Sequence, residues 1–248
     1  GSKNILCRCM MLECKNLRGG YEANNDIVKD ASFMVETGKS AALFGRNGAG
    51  KSTLAKAIVG LLPRCSGSVI YDQIPITGMP THQISNMGIA YFWQGGAVFP
   101  ALTVSENLKV ASLHKSEQDI NHFVEQLTEM SDKFLFIKQN GSEKATNLSG
   151  GNRHLLALAM VLAQTPTLVI LDEPSAGLAP DAVKDIYKIL ALVKEQYKLT
   201  ILLIEQNIGK AIEFCDSFLI LRNGTIIKQI PMQEADTYRI IEEILYEK

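Results

Sequence analysis

The sequence predicts an α/β fold built on a largely parallel β-sheet that is covered by helices. Short β-type apolar runs alternate with helical runs through most of the 248 residues. Most of these apolar runs end at a polar residue or a glycine, and the loops after such strand ends are where ligands bind in open α/β sheets. The composition, 46% hydrophobic and 21% charged, is that of a globular protein. A chain of this length can bury a substantial core.

The strands are predicted from short apolar runs bounded by turn residues. The predicted buried strands are 41–44, 89–93, 168–171 and 200–204. Asn223-Gly224 lies between two further apolar runs and is a strong signal for a two-residue hairpin turn.

The helices are predicted from longer runs with helical periodicity. The predicted helices are 53–62, 104–113, 117–130, a shorter stretch near Phe134, and an amphipathic, charged closing helix at 234–248. Residues 94–149 contain helical segments without clear strands, which predicts a helical subdomain inserted at about 95–150.

Charge and cysteine content narrow the classes of function. The formal net charge of −1 does not indicate a nucleic-acid binder held by bulk charge. The five cysteines are an odd number without paired metal spacing, so we expect reduced thiols; Cys7 and Cys9 have the wrong spacing for a zinc knuckle. Residues 1–10 are expected to be a tag or a flexible extension.

The sequence contains no segment that is predicted to span a membrane. The longest apolar segment starts at Leu155 and is interrupted at Gln164-Thr165-Pro166, so it is too short to cross a bilayer. A role at a membrane would therefore require a separate membrane-embedded partner.

Residues 45–52 match the pattern G-x-x-x-x-G-K-[ST] between a predicted strand and a predicted helix. The glycines let successive backbone N–H groups surround a phosphate, and Lys51 reaches the β- and γ-phosphates as a point charge. The Ser52 hydroxyl can coordinate Mg²⁺. The residues that we expect to bind the nucleotide here are Gly45, Asn47, Gly48, Ala49, Gly50, Lys51, Ser52 and Thr53.

A second chemical signal is the acidic pair at the end of the apolar run 167–171. Asp172 is the expected magnesium ligand, and Glu173 is the expected general base for the attacking water. Positioning and charge neutralisation supply nearly all of the catalysis in phosphoryl transfer. An acidic pair after a strand is more often a turn or a helix start, but the upstream lysine loop favours the catalytic interpretation.

A second glycine loop, Leu148-Ser149-Gly150-Gly151, precedes a long apolar helical run and has no lysine beside it. A glycine turn that opens a helix offers bare N–H groups and the positive end of the helix dipole to an anion. The chain therefore contains two candidate anion sites, of which only one has a lysine.

The lysine loop, Gln94, the second glycine loop and Leu171-Asp172-Glu173-Pro174, in this order, resemble the ATP-binding subunit of an ABC transporter. The resemblance covers 11–248 and implies one P-loop NTPase domain of ABC type, in which 45–52 is Walker A and 171–173 belongs to Walker B. It also implies an antiparallel N-terminal β part, with ATP and Mg²⁺ as ligands. In that family two subunits form a dimer, with two nucleotides at their interface.

The resemblance implies roles for further residues. The signature loop Leu148, Ser149, Gly150, Gly151 and Asn152 would cap the γ-phosphate of ATP held by the partner subunit. Tyr21 would stack on adenine. Gln94 would touch Mg²⁺ or the water and relay the nucleotide state to the membrane partner. Gln206 stands where most of the family has histidine, and it could still donate to the γ-phosphate. Catalysis is thus assigned to Glu173, Lys51, Gln94 and Gln206, and the metal to Ser52, Gln94 and Asp172.

The stretches 95–100, 172–180 and 204–207 resemble one of the two ATPase subunits of branched-chain amino-acid importers and their urea and amide relatives. This implies transmembrane permease subunits, an external solute-binding protein, a homo- or heterodimer of ATPases, and a location on the inner face of the cell membrane. No nucleic-acid partner is expected.

Other functions were weighed against this interpretation. One alternative is a soluble ABC ATPase of DNA repair or translation, which usually has two fused units or a coiled-coil insert. Another is the ATPase of a different ABC transporter, for lipid or export. A nucleoside kinase has no reason to carry the second glycine loop, and the intact Glu173 argues against an inactive regulator.

The chain departs from the usual family pattern at Asn152, Trp93 and Met160. None of these residues removes a group that binds magnesium or the attacking water. For Trp93, which precedes Gln94, we expect a core-filling role. At Met160 the usual arginine is missing, which removes a salt-bridge partner within the subunit.

Overall fold

The computed structural model describes residues 10–22, 25–112, 115–232 and 237–246. The strands are β1 (Met10–Gly20), β2 (Val28–Glu36), β3 (Ser40–Phe44), β4 (Arg64–Tyr71), β5 (Ile74–Pro75), β6 (Ile89–Phe92), β7 (Leu168–Asp172), β8 (Thr200–Ile204), β9 (Ser217–Arg222) and β10 (Thr225–Pro231). The helices are α1 (Lys51–Ile58), α2 (Thr81–Asn86), α3 (Val104–Ala111), α4 (Glu117–Met130), α5 (Leu135–Gln139), α6 (Gly150–Ala163), α7 (Pro180–Tyr197), α8 (Ile208–Phe214) and α9 (Thr237–Tyr246). The predicted extension at 1–10 lies outside the described residues except for Met10, and Cys7 and Cys9 lie outside them too.

The chain forms two compact units. The first unit comprises residues 1–87 and 200–248, and the second comprises residues 88–199.

The first unit contains strands in the order β5-β4-β1-β2-β10-β9-β3-β8. β1 pairs antiparallel with β2 and with β4, whereas β3 pairs parallel with β8 and with β9. All five residues of β3 are buried, as expected for a strand with parallel neighbours on both sides. The predicted combination of an antiparallel N-terminal part and a parallel core is confirmed.

Helix α1 begins at Lys51 and ends at Ile58, earlier than the predicted end at residue 62. The reason is Gly60, whose φ of 71° is left-handed. The Gly60 N–H donates to Ala57 O, and the Leu61 N–H donates to Lys56 O at 2.8 Å. These are the two bonds of a Schellman motif, which terminates the helix.

The predicted hairpin at Asn223-Gly224 is confirmed. β9 and β10 pair antiparallel with Arg222 opposite Thr225, and the two turn residues have φ values of 49° and 82°. Positive φ at both positions is the requirement of a type I′ turn, which Asn-Gly meets.

We expect Gly224→Ala to destabilise the protein more than Gly78→Ala. Both glycines have positive φ, but a Cβ at Gly224 would collide with the backbone oxygen of Ile27, whereas a Cβ at Gly78 meets nothing within 4 Å. The collision should lower the free energy of unfolding by about 1–3 kcal/mol beyond the cost of the φ angle alone. Urea denaturation of both variants measures the difference, and equal losses would contradict this account.

The second unit combines two parallel strands with most of the helices. β6 pairs parallel with β7, and α6 contributes ten buried residues, including Met160. The predicted bounds of α4 are confirmed, and capping boxes at Thr103 and Ser116 start α3 and α4. Among the described residues between 94 and 149, strand-like pairing is confined to an isolated bridge from Thr103 to Lys144.

α9 is described from Thr237 to Tyr246, and its predicted start at 234 lies in a stretch outside the described residues. β6 ends at Phe92, one residue before the predicted end. No helix in the described part of the chain has the length and apolar character needed to cross a membrane.

Candidate functional site

The loop that follows β3 in the first unit is shaped by its glycines. A Cβ at Gly45 would lie 2.6 Å from the Leu221 backbone oxygen, so a larger residue does not fit there. Gly48 and Gly50 have φ values of 78° and 104°, which glycine adopts readily. The Ala49 N–H donates to Arg46 O at 3.0 Å and closes a tight turn. The loop therefore turns sharply into the start of α1.

The N-terminus of α1 presents its backbone N–H groups to this loop. Gly50 is the N-cap and has no side chain that could accept from them. Lys51 is 6% exposed, and its Nζ donates to Gly45 O at 2.9 Å and to Arg46 O at 3.4 Å. The ammonium thus lies beside the loop, next to a helix N-terminus, which together form an anion-binding arrangement.

Tyr21 lies at the end of β1 and is 48% exposed. The Lys56 ammonium lies 5.9 Å from the Tyr21 ring centroid, and its Nζ donates to the Tyr21 hydroxyl at 3.4 Å. Lys56 is on α1, so the tyrosine is linked to the helix that follows the loop at 45–52. An exposed aromatic face at this position can stack on a base.

Gln206 lies directly before Asn207, the N-cap of α8, and its side chain is exposed. A cavity of about 400 Å³ is lined by Gln206 together with Gly45, Asn47 and Glu205. The structure therefore brings Gln206 to the loop at 45–52 within the first unit.

Glu205 is a residue that the sequence reasoning missed. Its buried carboxylate accepts from the Gln206 N–H at 2.7 Å and from the Asn207 N–H at 3.3 Å. These bonds hold the turn that carries Gln206. The only sequence signal was an acid at the end of the apolar run 200–204.

In the second unit, the acidic pair lies at the carboxyl end of β7. Asp172 is 3% exposed, and its Oδ2 accepts from the Tyr91 hydroxyl at 2.6 Å. Glu173 has a φ of 48°, a left-handed conformation that is uncommon outside glycine and asparagine. The Gln94 Nε2 donates to Glu173 Oε2 at 2.7 Å. The structure thus brings Gln94 to Glu173 and Tyr91 to Asp172.

The expectation that Trp93 fills the core is wrong. Trp93 is 43% exposed, and its ring packs edge-on against Tyr91, with the ring centroids 4.8 Å apart and the planes at 75°. Its position at the end of β6 places it on the surface beside the buried Phe92, since side chains alternate along a strand.

The second glycine loop opens α6. Ser149 is the N-cap, and its Oγ accepts from the Asn152 N–H at 3.2 Å. Nothing lies within 4 Å of a Cβ built on Gly150 or on Gly151. Ser149 and Gly150 are exposed, whereas Leu148 is 7% exposed and anchors the loop. The N-terminus of α6 is thus open to an incoming group.

His154, on α6, is a second residue that the sequence reasoning did not assign. It is 3% exposed, packs 5.0 Å from the Phe92 ring centroid and lies beside Gly96. Burial lowers its pKa, and the backbone groups of Pro174 and Gly95 offset this only in part. Its contacts with Gly95, Gly96 and Pro174 connect α6 to the segments that follow Gln94 and Glu173. A histidine on an apolar helix gives no distinctive sequence signal.

The donor groups suit a hard cation such as Mg²⁺. In the second unit, the carboxylate of Asp172 and the amide oxygen of Gln94 are oxygen donors of the kind that Mg²⁺ prefers, and in the first unit the Ser52 hydroxyl is such a donor. Within the described residues, no three His, Cys, Asp or Glu side chains form a ready-made metal cluster. Magnesium commonly binds through one or two carboxylates together with substrate phosphates, and the single carboxylate of Asp172 is compatible with that mode.

Comparisons with known proteins agree with this geometry. The family model for ABC transporters matches residues 28–176. The chain is 36% identical over 216 residues to the "Probable branched-chain amino acid transport ATP-binding protein LivF" of Archaeoglobus fulgidus, covering 87% of this chain and 90% of that protein. It is 31% identical over 216 residues to the lipopolysaccharide export system ATP-binding protein LptB of Escherichia coli, covering 87% and 88%.

A solved structure gives the same result for the fold. The ADP conformation of an ATP-binding cassette of an ABC transporter matches with a TM-score of 0.80 at 25% identity, covering 96% of this chain and 95% of that chain. The chain therefore belongs to the ABC transporter family, in which it is an ATP-hydrolysing ABC ATPase.

Proposed function

We propose that this chain is the ATPase subunit of an ABC importer and drives transport by ATP-dependent closure of a dimer. The observation that carries the proposal is the pair of glycine-bearing helix N-termini. One has Lys51 beside it, and the other, at Ser149 to Gly151, is open to an incoming group. A second anion site without its own lysine suits a phosphate that is held by another chain.

The residues of the first unit are proposed to bind the nucleotide. Tyr21 stacks on adenine, and the loop from Gly45 to Thr53 surrounds the phosphates with N–H groups. Lys51 neutralises the β- and γ-phosphates. Gln206, held by the bonds of Glu205 to its turn, donates to the γ-phosphate without changing its charge.

The residues of the second unit are proposed to carry the hydrolytic step. When bound, Mg²⁺ would neutralise phosphate charge, and Asp172 and Gln94 are the ligands proposed for it in this unit. Glu173 accepts a proton from the attacking water. Its bond from Gln94 Nε2 orients the carboxylate and is the contact through which Gln94 can sense the nucleotide state.

The signature loop is proposed to complete the site of a partner chain. The Ser149 hydroxyl accepts from its own helix and can still donate to a phosphate, because a hydroxyl is both acceptor and donor. Asn152 contributes its backbone N–H to the cap of α6, a bond that does not depend on its side chain. The unusual residue at this position therefore leaves the capping of α6 intact.

The proposed cargo is a branched-chain amino acid or a similar small polar solute. The LivF similarity supports this choice, and the LptB similarity supports lipid export as the second candidate. The proposed partners are a second ABC ATPase subunit, transmembrane permease subunits and an external solute-binding protein, with the chain on the inner face of the membrane. The permease that co-purifies with the chain distinguishes import from export.

The shared site can be tested by mixing two inactive variants. Ser149→Arg chains and Lys51→Ala chains should each lack hydrolysis as homodimers. In a mixed dimer, the Lys51 loop of one chain and the Ser149 loop of the other form one intact site. Random pairing puts about half of the chains in mixed dimers with one of two sites intact, so the mixture should regain about a quarter of the wild-type ATPase rate.

A matched control is a mixture of Lys51→Ala with Glu173→Gln. Both residues are proposed to act on the ATP held by their own chain, so each site of the mixed dimer is damaged and no activity should return. A steady-state phosphate-release assay measures both mixtures. Absence of recovery in the first mixture, with dimers present, would contradict the shared site.

A further inference from the structure

We propose that Tyr91 is a positioning residue that orients the Asp172 carboxylate toward Mg²⁺. This inference rests on the proposed function, in which Asp172 is a magnesium ligand. Tyr91 itself would touch neither the metal nor the nucleotide.

The contact is built on the pairing of β6 with β7. Tyr91 lies opposite Ile170 in the parallel register, and Asp172 lies two residues further along β7, on the same face of the strand as Ile170. Its hydroxyl donates to Asp172 Oδ2 at 2.6 Å. This length is typical of a hydrogen bond from a hydroxyl to a charged oxygen, which is about twice as strong as a neutral one.

The burial of Asp172 makes its orientation depend on this hydrogen bond. Asp172 is 3% exposed, so water has little access to its carboxylate. A buried carboxylate needs hydrogen-bond partners in place of water, and a fixed donor holds it in one rotamer. The Tyr91 hydroxyl is such a donor, and by engaging Oδ2 it restricts the plane of the carboxylate.

The position of the Tyr91 ring is in turn supported from the surface side. Trp93 packs edge-on against it at 4.8 Å between centroids, in an arrangement that aromatic pairs favour. Successive contacts therefore connect Trp93, a half-exposed residue beside Gln94, through Tyr91 to Asp172, the proposed metal ligand.

The expected effect is a weaker response to Mg²⁺. Partners that orient a metal ligand typically change metal affinity by 10-fold to 100-fold when they are removed. Tyr91→Phe deletes only the hydroxyl and keeps the ring against Trp93. We expect it to raise the Mg²⁺ concentration that half-saturates ATP binding by about 10-fold to 100-fold. ATP binding in EDTA should not change.

The experiment is a titration of ATP binding by calorimetry at a series of Mg²⁺ concentrations and in EDTA, on the full chain. The matched control is Tyr71→Phe, which deletes another tyrosine hydroxyl, one that donates to Met87 O at 3.2 Å in the first unit. A general loss of stability would affect both variants, whereas the loss of Mg²⁺ response should be confined to Tyr91→Phe. Excess Mg²⁺ should restore the ATPase rate of Tyr91→Phe toward that of the wild type.

The outcomes separate this inference from the proposed function. A Tyr91→Phe variant with the wild-type Mg²⁺ response overturns the inference while the proposed function stands. A wild-type chain that binds no ATP, or whose ATP binding ignores Mg²⁺, overturns the proposed function itself. Equal changes in Tyr91→Phe and Tyr71→Phe would also overturn the inference, since they would indicate a structural effect only.

Discussion

Replacing Glu173 with glutamine is expected to lower the ATP hydrolysis rate by about 10²-fold to 10⁴-fold, the usual contribution of a general base. ATP binding should persist, because the residues proposed to hold the nucleotide are untouched. Glutamine has almost the same shape as glutamate, and its side-chain oxygen can still accept from Gln94 Nε2, which donates to Oε2 in the native chain. The variant should therefore keep the local structure and lose the base.

A chain that binds ATP without hydrolysing it should remain in the closed dimer. Size-exclusion chromatography with ATP and Mg²⁺ should show a dimer of Glu173→Gln under conditions in which the wild-type chain returns to the monomer. Glu129→Gln, an exposed charge change on α4, is the matched control and should behave like the wild type. Turnover by Glu173→Gln at the wild-type rate would contradict the assignment of the base.

Lys51→Ala is expected to lose ATP binding and hydrolysis together. The Lys51 ammonium lies beside the loop at 45–52, where it donates to Gly45 O and Arg46 O. A hydrogen bond to a charged group contributes about 1.5–3 kcal/mol, so one lost contact to phosphate should weaken ATP binding by about 10-fold to 150-fold. The loss of the loop contacts should add to this effect.

Calorimetric titration with ATP measures the affinity, and phosphate release measures the turnover. Lys29→Ala is the matched control, since Lys29 is an exposed lysine of the same unit on β2. If Lys51→Ala kept normal affinity and turnover, the assignment of the loop at 45–52 would be wrong. A loss in both variants would indicate a general effect of charge on the unit.

Much of the fold follows from local patterns. The buried strands at 41–44 and 200–204, the helix at 117–130 and the Asn223-Gly224 turn all appear where the sequence predicts them. The helix and the turn depend on residues close in the chain, such as the capping box at Ser116 and the positive φ of Gly224, whereas the two strands are recognised from their continuous apolar runs. β1, β2 and β4 were not predicted individually, because an antiparallel strand is stabilised by neighbours distant in the chain.

The motif residues could be assigned from spacing, but their contacts could not. The pattern at 45–52 and the acidic pair at Asp172 and Glu173 can be recognised from the sequence alone. The hydrogen bond from Tyr91 to Asp172 joins residues 81 positions apart in the sequence, and the bond from Gln94 to Glu173 joins residues 79 positions apart. The exposure of Trp93 could not be predicted from the sequence either. An aromatic residue at a strand end packs inward or outward according to the register of that strand.

The sequence alone identified the residues of the candidate site: a glycine loop with Lys51, an acidic pair after a strand, and a second glycine loop without a lysine. These are sets of residue types at fixed spacing, and spacing along a helix or turn sets the local geometry. Only the tertiary structure decided which side chains share a bond, namely Tyr91 with Asp172 and Gln94 with Glu173. Strand pairing brings such partners together, and pairing depends on contacts between distant segments.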